Sequence, residues 1–94
     1  MRILVIEDDS RVASFIRSGL SADKFLVDVA QDGLSGLELA LSKDYSLIVL
    51  DLMLPGKTGQ EVLDGIRKTK RTVPVLILTA RGAVQDKVEL FRRG

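Results

Sequence analysis

Glu7, Asp8 and Asp9 stand directly behind the apolar run Ile3-Leu4-Val5-Ile6, and Asp51 stands directly behind a second run, Leu47-Ile48-Val49-Leu50. Carboxylates gathered in one place disfavour full ionisation unless a positive charge sits among them. The sequence has no histidine and no cysteine, so a metal among these residues would be held by oxygen, as magnesium, calcium or manganese are. Magnesium commonly takes one or two carboxylates and keeps several waters. A carboxylate beside such a cation can also attack a phosphoryl group and become an aspartyl phosphate. That transfer depends on positioning and on neutralising the three outer phosphoryl oxygens. Asp9 has a second reading, as the cap of the helix that follows it. For Asp51 the capping reading is weaker, because Pro55 and Gly56 mark a loop directly after it.

Asp8 and Asp51 are 43 positions apart (51 − 8), so only the fold can bring them together. Four apolar runs read as strands: Ile3 to Ile6, Phe25 to Ala30, Leu47 to Leu50 and Val73 to Leu78. The first, third and fourth are nearly continuous, as in strands covered on both faces. The second alternates Phe25, Val27 and Val29 with Leu26 and Asp28, which suits an edge strand with one wetter face. Between the runs lie amphipathic stretches. Val12, Ile16 and Leu20 define a first helix behind Asp9 or Ser10, and Leu34, Leu37 and Leu41 a second behind Asp32-Gly33. Thr58-Gly59-Gln60-Glu61 reads as a capping box opening a third helix with Val62, Leu63 and Ile66 on its apolar face. Val84, Val88 and Phe91 predict a fourth helix ending at Gly94.

Strands alternating with helices imply an α/β fold, a parallel sheet with helices on both faces. In the strand order 2-1-3-4 the first and third strands are neighbours, and the switch point between their C-terminal ends is where ligands of such sheets bind. Glu7, Asp8, Asp9 and Asp51 all fall there. Thr79 ends the fourth strand, where it is either a β-branched strand residue or a hydroxyl in reach of a group on Asp51. Lys57 lies on the loop after Asp51 and reads as a flexible surface lysine.

Composition excludes several other classes. Ninety-four residues, 46% hydrophobic and 29% charged, make one domain, 1–94, of ordinary globular type. The net charge of +1 favours neither nucleic acid nor membrane. Of Arg67, Lys68, Lys70, Arg71, Arg92 and Arg93, most fall where helices should end, and there they complement the helix dipole. No run approaches the roughly 20 apolar residues of a membrane span, and the Met-Arg start leads straight into a strand without a signal-peptide pattern. A cytoplasmic location is expected.

The segments Ile3-Leu4-Val5-Ile6-Glu7-Asp8-Asp9, Val49-Leu50-Asp51-Leu52-Met53-Leu54-Pro55-Gly56 and Ile77-Leu78-Thr79-Ala80-Arg81, in this order and at these separations, resemble the receiver domains of bacterial two-component response regulators. Their wording is most similar to the branch whose receivers precede a winged-helix DNA-binding domain, and the resemblance covers the whole chain. It implies a flavodoxin-like doubly wound sheet with Asp51 as phosphoacceptor and a sensor histidine kinase as phosphodonor. It implies Mg2+ bound by Asp8, by Asp51 and by the backbone carbonyl of Met53, with Glu7 acting through water. It makes Thr79 the hydroxyl that moves to bond the phosphoryl group.

The family pattern continues into a fifth strand, a lysine at its end and a fifth helix, so the resemblance leaves this receiver without its fifth βα unit. DNA would be contacted only through a further C-terminal domain. On that pattern the fourth strand becomes an exposed edge, and a long apolar edge invites self-association, with Pro74 giving slight protection. The function expected is a phosphoacceptor signalling switch controlling an output such as transcription. The alternative is a receiver fragment that only folds or self-associates without phosphotransfer. A phosphatase of the haloacid dehalogenase type would want a second aspartate where Met53 stands, and a flavin carrier would not line its phosphate loop with Glu7, Asp8 and Asp9.

Overall fold

The computed structural model describes residues 1–69, 72–79 and 87–91. Along the chain run β1 (Arg2–Ile6), α1 (Ser10–Ala22), β2 (Leu26–Ala30), α2 (Gly33–Ser42), β3 (Leu47–Asp51), α3 (Gly59–Thr69), β4 (Val75–Thr79) and β5 (Lys87–Phe91). The sheet order is β2-β1-β3-β4-β5. The first four strands are mutually parallel, which bears out the doubly wound order 2-1-3-4.

Alternation along each strand divides the core between the two faces of the sheet. Leu4, Ile6, Ile48, Leu50, Val75 and Ile77 meet Val62 and Ile66 of α3 in one fully buried cluster. Ile3, Val5 and Val49 point the other way and pack with Ile16 and Leu20 of α1. Each such side chain taken from water stabilises the fold by about 1.5–3 kcal/mol before entropy is counted. Asp28 of the edge strand β2 accepts hydrogen bonds from Tyr45 Oη at 2.7 Å and Arg2 Nη1 at 3.1 Å, tying β1, β2 and the approach to β3 together.

The helices start where the sequence puts them; α1 turns its expected Ile16 and Leu20 inward, whereas α2 buries a different face. Asp9 caps α1 by accepting from the N–H groups of Arg11 and Val12. The Thr58–Glu61 box is reciprocal: Thr58 N–H donates to Glu61 Oε1 at 2.8 Å and Glu61 N–H to Thr58 Oγ1 at 3.2 Å. On α1, Val12 is exposed and Ala13 is buried in its stead. On α2, Leu34 and Leu41 are exposed while Gly33, Gly36 and Ala40 are buried. The reason is closeness. A Cβ on Gly36 would stand 2.7 Å from the Ile6 side chain, so α2 lies against the sheet on its smallest residues and its leucines flank the contact.

The expected fourth helix is corrected. Of its marker residues, Val84 and Gly94 lie outside the described residues, and Val88 and Phe91 belong to β5, antiparallel to β4. Thr79 pairs with Lys87 and Val75 with Phe91. The expected exposed edge of strand four is corrected with it, because that edge is hydrogen-bonded to β5. An apolar strand with unpaired N–H and C=O groups is a template for any neighbouring segment. Lys87-Val88-Glu89-Leu90 alternates charged and apolar residues as a strand does. Among the described residues no helix is long and apolar enough to cross a membrane.

The reassigned faces carry a prediction for urea unfolding. Ile66→Ala, at a fully buried position, is expected to cost about 2–5 kcal/mol. Leu34→Ala, at a position 57% exposed, is expected to stay within about 0.5 kcal/mol. A Leu34 loss as large as that at Ile66 would restore the leucine face to the interior.

Candidate metal centre

The site is a consequence of strand register. Ile6 pairs with Leu50, so the next residues along, Glu7 and Asp51, emerge side by side where β1 and β3 end. Glu7 N–H donates to the Ala30 carbonyl of β2 at 2.9 Å, and Leu52 N–H to the Leu78 carbonyl of β4 at 3.3 Å. The carboxylates are therefore rooted in four parallel strands.

One carboxylate oxygen each from Glu7, Asp8 and Asp51 all lie within 4.8 Å of one another. Their exposures differ in a useful way. Glu7 is 5% exposed, Asp8 is open to solvent and Asp51 is intermediate. Glu7 Oε2 accepts the Asp9 N–H at 3.0 Å, and Asp51 Oδ1 accepts the Met53 N–H at 3.0 Å. Burial pushes the Glu7 carboxyl up from its ordinary 4.5 to about 7, against the lowering effect of the Asp9 N–H. The charge of Asp51 and side-chain contacts with Asp51 and Asp8 push it further the same way. Asp9 behaves differently. Its carboxyl is held below the ordinary range by the Arg11 and Val12 N–H groups, so it serves the helix and not the cluster.

Three crowded carboxylates, one of them buried, form an all-oxygen donor set that a small hard dication fits. Glu7, Asp8 and Asp51 are the residues that would face such an ion, whose charge would offset the part of the Glu7 shift that Asp51 adds to burial. Met53 is on the rim, half exposed, with its N–H already turned to Asp51. Thr79 ends β4, next to the strand that bears Asp51; its side chain lies outside the described residues.

Lys57 is partly exposed, and its backbone lies so close to Gly33 that a Cβ there would collide with its carbonyl oxygen. Its charge also falls on Glu61, whose carboxyl is held low first by the Thr58 N–H and in part by Lys57. The contact between Gly33 and Lys57 was not foreseeable, since it joins residues 24 positions apart (57 − 33). A glycine opening a helix looks the same in sequence whether or not a loop presses on it.

In the metal-free protein the raised Glu7 carboxyl implies a definite pH trend. Its contribution to stability is present below about pH 4.5 and is lost as pH rises through about 7. Asp51→Asn removes one neighbouring charge, so thermal unfolding should show a higher Tm than the parent above pH 7 and a shallower decline. Burial remains in the variant, so the decline should not vanish. An Asp51→Asn protein less stable than the parent at pH 8 without metal would contradict the crowding described.

The family description "Response regulator receiver domain" matches residues 3–94. The transcriptional regulatory protein HprR of Escherichia coli (strain K12) is 48% identical over 88 residues, 94% of this chain and 39% of HprR. The chain thus spans about two-fifths of the length of the curated relatives it matches. Among solved structures, the response regulator TrrA of Thermotoga maritima in complex with Mg(2+)-BeF is 33% identical, with a TM-score of 0.81. That match covers 86% of this chain and 70% of TrrA. The same TrrA in complex with histidine kinase ThkA matches 92% of this chain and 74% of the TrrA chain at 31% identity, with a TM-score of 0.79.

Proposed function

The chain belongs to the response regulator receiver domain family, and from that premise we propose that it is the phosphoacceptor switch of a two-component system, with Asp51 carrying the phosphoryl group. The observation that carries the assignment is the unequal exposure within one cluster. Asp51 is reachable from outside while Glu7, an oxygen's reach away, is buried. In this reading residues 1–94 are the receiver domain.

The roles follow from what each residue already does. Asp51 Oδ1 accepts the Met53 N–H, which orients the carboxylate at the end of β3. A carboxylate oxygen of Asp51 attacks the phosphorus of the donor, the new O–P bond forming as the bond to the leaving group breaks. The leaving group departs with the bonding electrons. Asp8, Asp51 and the Met53 carbonyl would hold Mg2+, with Glu7 acting through water. Bound there, Mg2+ supplies the positive charge that phosphoryl oxygens require beside three carboxylates. Thr79, at the end of β4, would bring its hydroxyl to the phosphoryl group. The protein is thereby a participant in its own modification and not an enzyme with a separate substrate.

A sensor histidine kinase is the proposed phosphodonor, a reading supported by the complex of TrrA with histidine kinase ThkA. Control of transcription is the proposed output, supported by the names of relatives such as HprR, with DNA contacted by a domain other than this one. A cytoplasmic setting follows from those two partners.

Intact mass after incubation with Mg2+ and a small phosphodonor such as acetyl phosphate tests the assignment. One phosphoryl group should be gained, the gain should vanish when Mg2+ is chelated, and Asp51→Asn should show none. A gain undiminished in Asp51→Asn would place the acceptor elsewhere.

A further inference from the structure

The segment that follows Asp51 is held at two places where a side chain is missing. Residues 52–58 leave β3 and return to α3 at Gly59, whose N–H donates to the Leu52 carbonyl at 3.3 Å. A Cβ on Gly59 would stand 2.5 Å from Leu52 Cα and 2.7 Å from the Asp51 carbonyl oxygen. That clamp fixes the base of the loop. Its far limb turns at Gly56, where φ is +73° and a side chain would be strained. It then comes down on α2, where the buried Gly33 meets the carbonyl oxygen, carbonyl carbon and Cβ of Lys57. All three of those atoms would lie at 3.0 Å or less from a Cβ on Gly33, and two of them are backbone, which no rotamer change can move aside.

Between these two supports lies Met53, the residue whose N–H orients Asp51 Oδ1 and whose carbonyl is the third ligand in the proposed function. We propose that Gly33 is a positioning residue for that site. By leaving room for the Lys57 backbone it lets the loop settle onto α2, and this seating sets where Met53 stands relative to Asp51. The inference rests on the proposed metal centre for its ligand but on the backbone contact for its geometry. A methyl at Gly33 would push Lys57 outward, swing the loop about its Leu52–Gly59 base and carry Met53 with it. Groups that orient the ligands of a metal commonly change its affinity by 10–100-fold when lost.

The test compares two glycine-to-alanine changes, one on α2 and one on α3. Gly33→Ala crowds the loop backbone, whereas Gly65→Ala crowds only the flexible Leu37 side chain, at 2.9 Å from its Cδ1. Both are made in a Gly19→Ala background, where the new methyl meets nothing within 4 Å and alanine favours the helix, so that folding is preserved. Mg2+ affinity is read by calorimetric titration and the Met53 amide by hydrogen exchange without metal. Gly33→Ala should weaken Mg2+ binding by about tenfold or more and speed Met53 exchange relative to the buried strand amides. Gly65→Ala should leave both at the background values. Unchanged Met53 exchange in Gly33→Ala, or equal losses in the two variants, would overturn the inference. Absence of Mg2+ binding in the background protein itself would overturn the metal assignment instead, and Met53 exchange would still decide whether Gly33 seats the loop.

Discussion

Everything in this structure is arranged around the repulsion of three carboxylates held within 4.8 Å at the ends of β1 and β3. Such a cluster is tolerable because its backbone is fixed before its charges meet. Ile6 and Leu50 are fully buried and paired, so the residues after them cannot spread apart. The N–H groups of Asp9 and Met53 then return part of the lost solvation, each to one carboxylate. What remains is a local excess of negative charge at a rim that a donor can reach, on loops carried by a rigid sheet.

That excess is what makes a cation and a phosphoryl group interdependent. A phosphoryl group on Asp51 would replace its carboxylate charge with the larger charge of an acyl phosphate, which the two remaining carboxylates, Glu7 and Asp8, would oppose without a metal. With one, each ligand favours the other by the same coupling free energy. The 52–58 segment is where this chemistry meets the helices, since it begins at Asp51, leans on Gly33 of α2 and ends at Gly59 of α3. The loop between those two helices is thus the segment that adjoins Asp51.

Most of this was legible in the sequence because it is written in strong local signals. The continuous apolar runs ending in Glu7 and Asp51 located both the sheet and its switch point, and the Thr58–Glu61 box located α3 to the residue. The inward face of α2 was not legible. Periodicity selects Leu34, Leu37 and Leu41, but Gly36 approaches Ile6 of the sheet so closely that the buried positions are Gly33, Gly36 and Ala40, and of the three leucines only Leu37 packs against the core. Lys87–Phe91 was misread for a different reason. Val88 and Phe91 suit helical spacing with Val84, yet Lys87 to Leu90 alternates charged with apolar residues, and the open edge of β4 settles the contest for a strand. The seating of Lys57 on Gly33 depends on two segments meeting in space, which no spacing within either one reveals.

The most direct measurement is to locate the modified residue chemically. Borohydride reduces the carbonyl of an acyl phosphate to an alcohol, so an aspartyl phosphate is converted to homoserine, and peptide mapping then reads its position. After treatment of the chain with Mg2+ and a phosphodonor, homoserine is predicted at position 51 alone. Homoserine at position 8 or 9 in its place would contradict Asp51 as the acceptor.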